Sequence, residues 1–441
     1  MKVVNALLEE EKELRRPTAA ENAAIAKVAS DFTARLDKAL RQLKIRAKAV
    51  VGGSGAKGTW LRGLHDIDVF VCFDYSTYKK RSAELSELLA SAIKKAFKKH
   101  ERLHGSRDYF RTQMEGYNFE VVPILSIRKA SQALNITDVS LLHSGWVNKK
   151  ISKNKAVADE TRLAKAFCRA QRVYGAESYV RGFSGYSCEV LTAHHGSFLK
   201  LITAATKWKK QIAAGKKIII DAERHYKGKD PLSELNQAKV QSELIVIDPV
   251  QKDRNATAAL SNETLNRFIE ACEAFIRKPG KIFFERQEIT VEKLRHSAKG
   301  KQLVIVEAEP ARGKEDVVGA KLVKAHEHIA QQLQKKGFRL AEHGWEWEKN
   351  SKTAMLWYVI QKAEPEPEVR YGPPLSNKQH AEKFREEHLG KAGRHLFEKS
   401  GRLYARIERA YKRPQQLISA LISEYAYLKD KARNYAFKSF E

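Results

Sequence analysis

Long apolar runs are missing from this chain: no stretch approaches the length of a membrane-spanning helix, and residues 1–16 are too charged for a secretory signal. Nothing points to a membrane, and a cytosolic (cytoplasmic) place is the expectation. Cysteine is scarce, with Cys72, Cys168, Cys188 and Cys272 the only four. No two have zinc-ligand spacing, and their apolar neighbours make reduced, mostly buried thiols the expectation. Internal repeats are absent. Negative charge is in deficit, with 53 Asp and Glu against 81 Lys and Arg, a formal +28. The excess is spread along the chain, which suits a long polyanion such as RNA or DNA; a generally basic, highly charged surface is the plain alternative.

What is present is enough apolar material, 43% of residues with 9% aromatic, to bury real cores. A length of 441 residues exceeds what one core organises, so two to four domains are expected. Thr18 opens a helix-like stretch from Ala19 to Leu43, with apolar residues at three- and four-residue spacing. A strand-like run, Ala47 to Val51, meets the turn Gly52-Gly53-Ser54-Gly55. A strand over 67–73, a helix over 83–100 and strands over 109–114 and 118–125 follow. This α/β pattern makes residues 1–150 a first domain. A helical region then runs to about Ala214, and a strand at 244–247 precedes a helix at 262–276, giving a second domain over 151–280. Strand, helix, strand and strand at 303–307, 316–335, 338–347 and 354–361 suit a small α/β-plait, RRM-like, over 281–370. Glu364-Pro-Glu-Pro-Glu reads as a solvated linker. Residues 371–441 read as a basic, aromatic, largely helical tail with one strand possible at 403–410. The class is α+β, multidomain.

The segment Gly53-Ser54, a short spacer, then Asp66-Ile67-Asp68-Val69-Phe70-Val71 carries the most chemistry. Alternate strand residues share a face, so Asp66 and Asp68 point one way while Ile67, Val69 and Val71 enter a core. Adjacent carboxylates beside a buried strand repel unless a cation lies between them. Hard divalent ions, Mg²⁺ above all, suit such oxygen ligands together with phosphate. A strand end with solvated acids is the bland alternative. The Gly53-Ser54 turn offers backbone N–H groups and a hydroxyl to triphosphate oxygens, and Lys57 in the same turn is taken as nucleotide-binding with it. Glu120, in Phe119-Glu120-Val121-Val122-Pro123, supplies a third carboxylate on a neighbouring strand. Gly53-x-Gly55-x-x-Gly58 formally matches a dinucleotide fingerprint, but Trp60-Leu61-Arg62-Gly63 leads within a few residues to the next strand, leaving no room for the required helix.

Gly-Ser, Thr59-Trp60-Leu61 and Asp66-Ile-Asp68 resemble the signature of polymerase-beta-type nucleotidyltransferases, in the form seen in the archaeal (class I) CCA-adding enzymes. Tyr174-Gly-Ala-Glu177 with Tyr179-Val-Arg181-Gly-Phe-Ser-Gly-Tyr186 is similar to that family's second-domain signature. Asp248-Pro249-Val250, Arg254-Asn255 and Ala258-Ala259-Leu260 are similar to its third. The likeness is strong to about residue 277 and weaker, in the same order, beyond. Three ordered motifs make coincidence a poor account. In two positions the chain departs from the pattern: Asp66 stands where relatives commonly carry Glu, and Glu120 where they commonly carry Asp. Gly55 also replaces a Tyr after the Gly-Ser.

The resemblance implies a nucleotidyltransferase head, a helical central domain, a plait body and an RNA-binding tail. It implies template-independent addition of C, C and A to tRNA from CTP and ATP. Asp66, Asp68 and Glu120 fall on the metal positions, Arg254 on the base-reading Arg, His143 on an ATP-contacting His, and Lys165 and Tyr174 on triphosphate and sugar contacts. An Arg254 paired with Asp253 or Asp248 at a helix start, a loop His143, a solvated Lys165 and a packing Tyr174 are the corresponding plain readings. For the acceptor and T stem–loop of tRNA, the candidates are Arg394, Lys399, Arg402, Arg406 and Arg409 in a basic run that also holds His395, Lys412 and Arg413, with Tyr404 and Tyr411 among them; a solvated basic face is the alternative. Relatives often dimerise, so a homodimer stays open. A poly(A)- or oligoadenylate-type transferase of the same superfamily, or a non-catalytic RNA-binding protein, are the rival functions.

Overall fold

The computed structural model describes residues 2–63, 66–348, 351–361, 366–424 and 426–438. They form two compact units, 1–287 and 288–441.

The first unit opens with α1 (Lys2–Arg15) and α2 (Ala19–Gln42). Thr18 caps α2: its Oγ1 accepts from the Glu21 N–H at 3.1 Å, and the Glu21 carboxylate accepts from the Thr18 N–H at 2.7 Å. The apolar face of α2, with Val28, Phe32, Leu36 and Leu40 buried, covers a five-stranded sheet. Its strands are β1 (Ala47–Val51), β2 (Asp66–Phe73), β3 (His100–Leu103), β4 (Tyr109–Met114) and β5 (Tyr117–Leu125), in the order β1-β2-β5-β4-β3. Between β1 and β2 lies α3 (Gly53–Lys57); α4 (Tyr75–Tyr78) and α5 (Leu85–Ala96) follow β2. Within this sheet β2 and β5 are the parallel pair, and their register sets Asp66 beside Asn118 and Asp68 beside Glu120. Phe32 stacks on Phe119 at 3.8 Å between ring centroids, which ties α2 to the back of the strand that carries Glu120.

The remainder of this unit is α6 (Ser140–Lys153), α7 (Ala156–Ala170), α8 (Gly185–His195), α9 (Phe198–Ala205), α10 (Trp208–Ala213), the sheet β6 (Ile218–Asp221), β7 (Leu244–Asp248) and β8 (Gln251–Asn255), and α11 (Asn262–Arg277). No break occurs at the expected boundary of 150, because α6 runs through it. The aromatic core around Phe167, Phe268 and Phe275 also takes in Leu8 of α1, Leu61 and Trp146. Leu8, Leu61 and Trp146 of the first expected domain thus join the core of the second, while the five-stranded sheet keeps a core of its own around Phe32, Phe73 and Phe119. Strands β6 and β8 escape notice in the sequence because each has only four or five residues, and β8 (Gln-Lys-Asp-Arg-Asn) is polar throughout.

The second unit holds α12 (Val291–Ser297), β9 (Gln302–Pro310), α13 (Glu315–Lys335), β10 (Leu340–Glu346), β11 (Ala354–Ile360), β12 (Glu368–Pro374), α14 (Lys378–His388), β13 (Arg394–Lys399), β14 (Arg402–Ile407), α15 (Pro414–Glu424), α16 (Ala426–Lys431) and β15 (Ala432–Phe437). One antiparallel sheet runs β10-β11-β9-β15, with Val304, Val306, Leu356 and Tyr358 packed against Leu322 and Ile329 of α13 and Leu417 and Leu421 of α15. A second antiparallel sheet, β12-β14-β13, carries α14 on one face. The expected boundary at 370/371 is corrected: it falls inside β12, and the last 70 or so residues are not mainly helical. They contribute four strands, and the final one, β15, pairs with β9 and completes the first sheet. A strand buried on one face must pair wherever its register fits, and that partner lies over a hundred residues upstream. Of the segment read as a linker, residues 364 and 365 lie outside the described residues.

Candidate active site

The site begins where β1 turns into α3. Gly53 adopts φ +56°, and a Cβ built on it would stand 1.6 Å from Asp68 Oδ2. A Cβ on Gly52 would stand 2.2 Å from the Phe70 ring. Only glycine lets this backbone lie directly against β2. The turn expected at 52–55 is thus the first turn of a short helix, whose leading N–H groups have no intrahelical acceptor. Ser54, Gly55, Asp66 and Asp68 line a cavity of about 590 Å³, closed by Trp60 and Leu61, by Ile25, Ala26 and Ala29 of α2, and by Lys165, Arg169 and Tyr174.

Asp66 is exposed and accepts from the Asn118 amide at 3.0 Å; Asp68 is half-buried. Burial pushes the Asp68 carboxyl up to about 6, and the nearby Glu120 and Asp66 carboxylates push the same way against Lys57 and Lys165. Glu120 sits opposite Asp68, but its Oε1 accepts from Arg111 at 2.6 Å. Among the described residues no three His, Cys, Asp or Glu converge as they stand. The donor set nevertheless suits a hard divalent cation: two carboxylates on one strand face, one of them held ionised at a cost, and a third beside Asp68 in the strand register. Arg111 as the partner of Glu120 was not legible in the sequence, since cross-strand neighbours are set by register.

Behind the cavity, α7 grips the loop after α3. Arg162 donates to the carbonyls of Gly58 and Trp60, and one turn on Lys165 Nζ donates to Thr59 Oγ1 at 3.0 Å and Thr59 O at 3.3 Å. Lys165 is not the solvated lysine of the plain reading: it is 3% exposed. Its partner is Glu189 of α8, completely buried, whose Oε1 lies 2.8 Å from Lys165 Nζ and whose Oε2 lies 2.6 Å from Lys57 Nζ. Thr59 Oγ1 donates to the same carboxylate at 2.6 Å. Burial opposes ionisation of Glu189, but Lys165 and Lys57 outweigh it and hold the group down at about 2. One carboxylate thus fixes two ammonium groups beside the acidic pair. Glu189 escaped the sequence reading; the only trace was an acid in an apolar helical stretch, Ser-Cys-Glu-Val-Leu. Tyr174 lines the cavity with its ring under the Arg169 guanidinium at 4.3 Å, and a Cβ on Gly185 would come 2.9 Å from its hydroxyl.

A second cluster forms around Asp248, buried at the end of β7. The His143 Nε2–H donates to Asp248 Oδ2 at 2.9 Å, Arg254 donates to the same oxygen, and the Tyr186 hydroxyl donates to Oδ1 at 3.1 Å. His143 stacks on Tyr186 with centroids 4.0 Å apart. Burial pushes the Asp248 carboxyl up, yet His143 and Arg254 together hold it down at about 2. The pairing of Arg254 with Asp248 is as the plain reading has it, but on strand β8 rather than at a helix start. His143 lies in α6, not in a loop. Tyr186 and Glu189, three residues apart on α8, join one face of that helix to both clusters.

In the C-terminal unit, Arg394 donates to the Glu387 carbonyl at 2.8 Å, and Arg409 donates to Glu368 at 3.0 Å and to the Glu366 carbonyl. Arg402 donates to the Gly372 carbonyl at 2.9 Å, so three of the five expected RNA contacts are engaged within the protein. Lys399, Arg402 and Arg406 are exposed.

A glycine-seated acidic pair facing a cavity with a buried lysine at its rim is the arrangement of a nucleotidyltransferase. Residues 34–141 match the sequence model of a nucleotidyltransferase domain, 159–285 that of the tRNA nucleotidyltransferase second domain, and 299–432 that of the CCA-adding enzyme C-terminal domain. The CCA-adding enzyme of Nanoarchaeum equitans is 34% identical over 82% of this chain and 84% of its own. That of Methanosarcina barkeri is 33% identical over 86% and 80%. A solved structure of Cid1, described as having RNA terminal uridylyl transferase activity, superposes with TM-score 0.50 at 11% identity over 66% of this chain and all of that one, a likeness of fold alone. The chain belongs to the CCA-adding enzymes, the tRNA nucleotidyltransferases. Among the described residues no helix is long and apolar enough to cross a membrane.

Proposed function

We infer that this chain adds C, C and A to the 3′ end of tRNA from CTP and ATP, without a nucleic-acid template and with release of pyrophosphate. The observation that carries the reading is the Asp66–Asp68 pair at a cavity rimmed by Ser54, Lys165 and Tyr174, in a chain similar to CCA-adding enzymes through three consecutive segments. Asp66, Asp68 and Glu120 would hold divalent cations, Mg²⁺ by the hardness of the donors. Bound there, they supply Lewis-acid activation of the attacking hydroxyl and charge neutralisation on the leaving pyrophosphate. Glu120 takes part once it releases Arg111. Gly53, Ser54 and Lys165 meet the triphosphate, with Lys57 held behind by the shared Glu189, and Tyr174 packs against the sugar. A tRNA substrate makes the cytoplasm the natural place of action.

Arg254 and His143 read the base. Both are anchored by Asp248, so their donors are presented in a fixed direction. Cytosine and adenine each offer an unprotonated ring nitrogen beside an exocyclic amine, whereas uracil offers an N–H there. A fixed cationic donor rewards the first two and meets a competing donor in the third. Arg254→Ala is therefore expected to lower discrimination of CTP over UTP by about 1–3 kcal/mol, read from single-nucleotide incorporation with all four triphosphates. Equal loss with every triphosphate would make Arg254 a structural residue instead.

We read β10-β11-β9-β15, with α13 after its first strand and α15–α16 before its last, as the α/β-plait body, and the C-terminal unit as the part that grips the acceptor and T stem–loop. The test of the whole function is extension of a tRNA ending before its CCA. Two CMP additions followed by one AMP are expected; a run of AMP, or no extension with pyrophosphate unreleased, would overturn it.

A further inference from the structure

The plait sheet in the C-terminal unit is covered on both sides at its central strands β9 and β11. One side is covered by α13, α15 and α16, and on the other Ile305 and Trp357 are buried with Leu294 of α12. The second sheet differs. Leu403 and Ala405 point to the α14 side and are buried, which turns Arg402, Tyr404 and Arg406 to the opposite face. The register places Tyr371 and Phe397 on either side of Tyr404, and Val369 and His395 on either side of Arg406, with Lys399 beside Arg402. Tyr371–Tyr404–Phe397 thus form one cross-strand aromatic row, with centroid spacings of 5.3 and 5.2 Å.

This row is not a core. Tyr371 is 75% exposed, Arg406, His395 and Lys399 are exposed, and Arg402 is exposed with one guanidinium N–H donating to the Gly372 carbonyl at 2.9 Å. No acidic residue occupies a strand position on this face; Glu368 and Glu398 register with Ile407 and Leu403, on the α14 side. A monomer gains nothing by exposing an aromatic row, and a protein partner would meet three to four cations there with no acid between them. A polyanion with flat apolar rings meets both features at once: phosphates for the arginines and lysine, a π-face for the tyrosine.

Resting on the tRNA reading above, we propose that the open face of β12-β14-β13 is a stacking platform for RNA, in which the Tyr371–Tyr404–Phe397 row takes the face of an exposed base or terminal base pair while Lys399, Arg402 and Arg406 hold the flanking phosphates. The proposal separates ring from charge. With the full chain and a tRNA ending before its CCA, affinity is measured across a salt series for wild type, Tyr371→Phe, Tyr371→Ser and Arg406→Ala. Tyr371→Ser is expected to weaken binding about 5- to 150-fold with the salt slope unchanged, as for loss of one stacked base. Tyr371→Phe retains wild-type affinity. Arg406→Ala flattens the slope by about 0.7–0.9, one phosphate's worth. Wild-type affinity in Tyr371→Ser overturns the platform and leaves the face to a protein partner; equal losses in the Ser and Phe variants overturn it too, since the hydroxyl would then be the contact. Extension of the same tRNA by wild type is followed alongside. If that fails while Tyr371→Ser still weakens binding, the nucleotide-addition reading falls and the platform stands.

Discussion

Asp68→Ala is expected to abolish nucleotide addition while leaving the affinity for tRNA within about twofold of wild type. The carboxylate lies where the backbone of Gly53 touches it and opposite Glu120, so its loss removes a donor from the centre of the acidic group. A missing metal ligand removes several kcal/mol of transition-state stabilisation, on the order of a thousandfold or more in rate. A merely structural aspartate would behave differently in unfolding. The Asp68 carboxyl is raised from the usual 3.8 to about 6, so between those values the folded chain binds more protons than the unfolded one. Stability therefore falls as pH rises through that window, and the cost is fully present at neutral pH. Alanine removes it. Without divalent metal at pH 7, Asp68→Ala should melt no lower than wild type, and with Mg²⁺ added it should still release no pyrophosphate. Activity near wild type, or a melting point well below it, would count against the metal-site reading.

Glu189→Gln carries the second large effect. The variant keeps the shape and one acceptor but leaves Lys57 and Lys165 near one another with no buried anion. Removing one partner from a buried ion pair typically costs about 3–5 kcal/mol, and here two cations lose the same partner. The second consequence concerns the triphosphate. With their common anchor gone, Lys165 is no longer held at the rim of the cavity nor Lys57 behind it, and KM for CTP and ATP should rise more than kcat falls. Affinity for tRNA should stay. Both readings are taken at a temperature where circular dichroism shows the variant folded. Adding Lys165→Met to Glu189→Gln should recover part of the lost stability and none of the lost triphosphate affinity. Unchanged KM in folded Glu189→Gln would reduce Glu189 to a packing role.

Much of the chemistry was legible in the linear sequence, for local reasons. Alternation along Asp66-Ile-Asp-Val-Phe-Val puts both carboxylates on one face of whichever strand it forms. Two adjacent glycines before a serine mark a backbone that must lie close to something, and the structure supplies Asp68 and Phe70 as that something. The apolar spacing of α2, with Thr18 and Glu21 at its start, fixes that helix without reference to the rest of the chain. These features depend on neighbours within a turn or a pleat.

The partners that make the residues work were decided by tertiary structure alone. Glu189 meets Lys57 from 132 positions away and His143 meets Asp248 across 105, and no local period connects them. Their pairing follows from burial: a charge enclosed by packing helices has to find its counter-charge in whatever element packs against it. Register in the parallel β2–β5 pair puts Glu120 next to Asp68, and the antiparallel β4–β5 pair gives it Arg111 instead as its present partner. The run from Arg394 to Arg409 looked uniform as a sequence. The sheet divides it, turning Arg406 outward with Tyr404 while Arg394, Arg402 and Arg409 bind the protein's own carbonyls and carboxylates, Arg402 from the open face, because adjacent strands and α14 claim one face and leave the other to solvent.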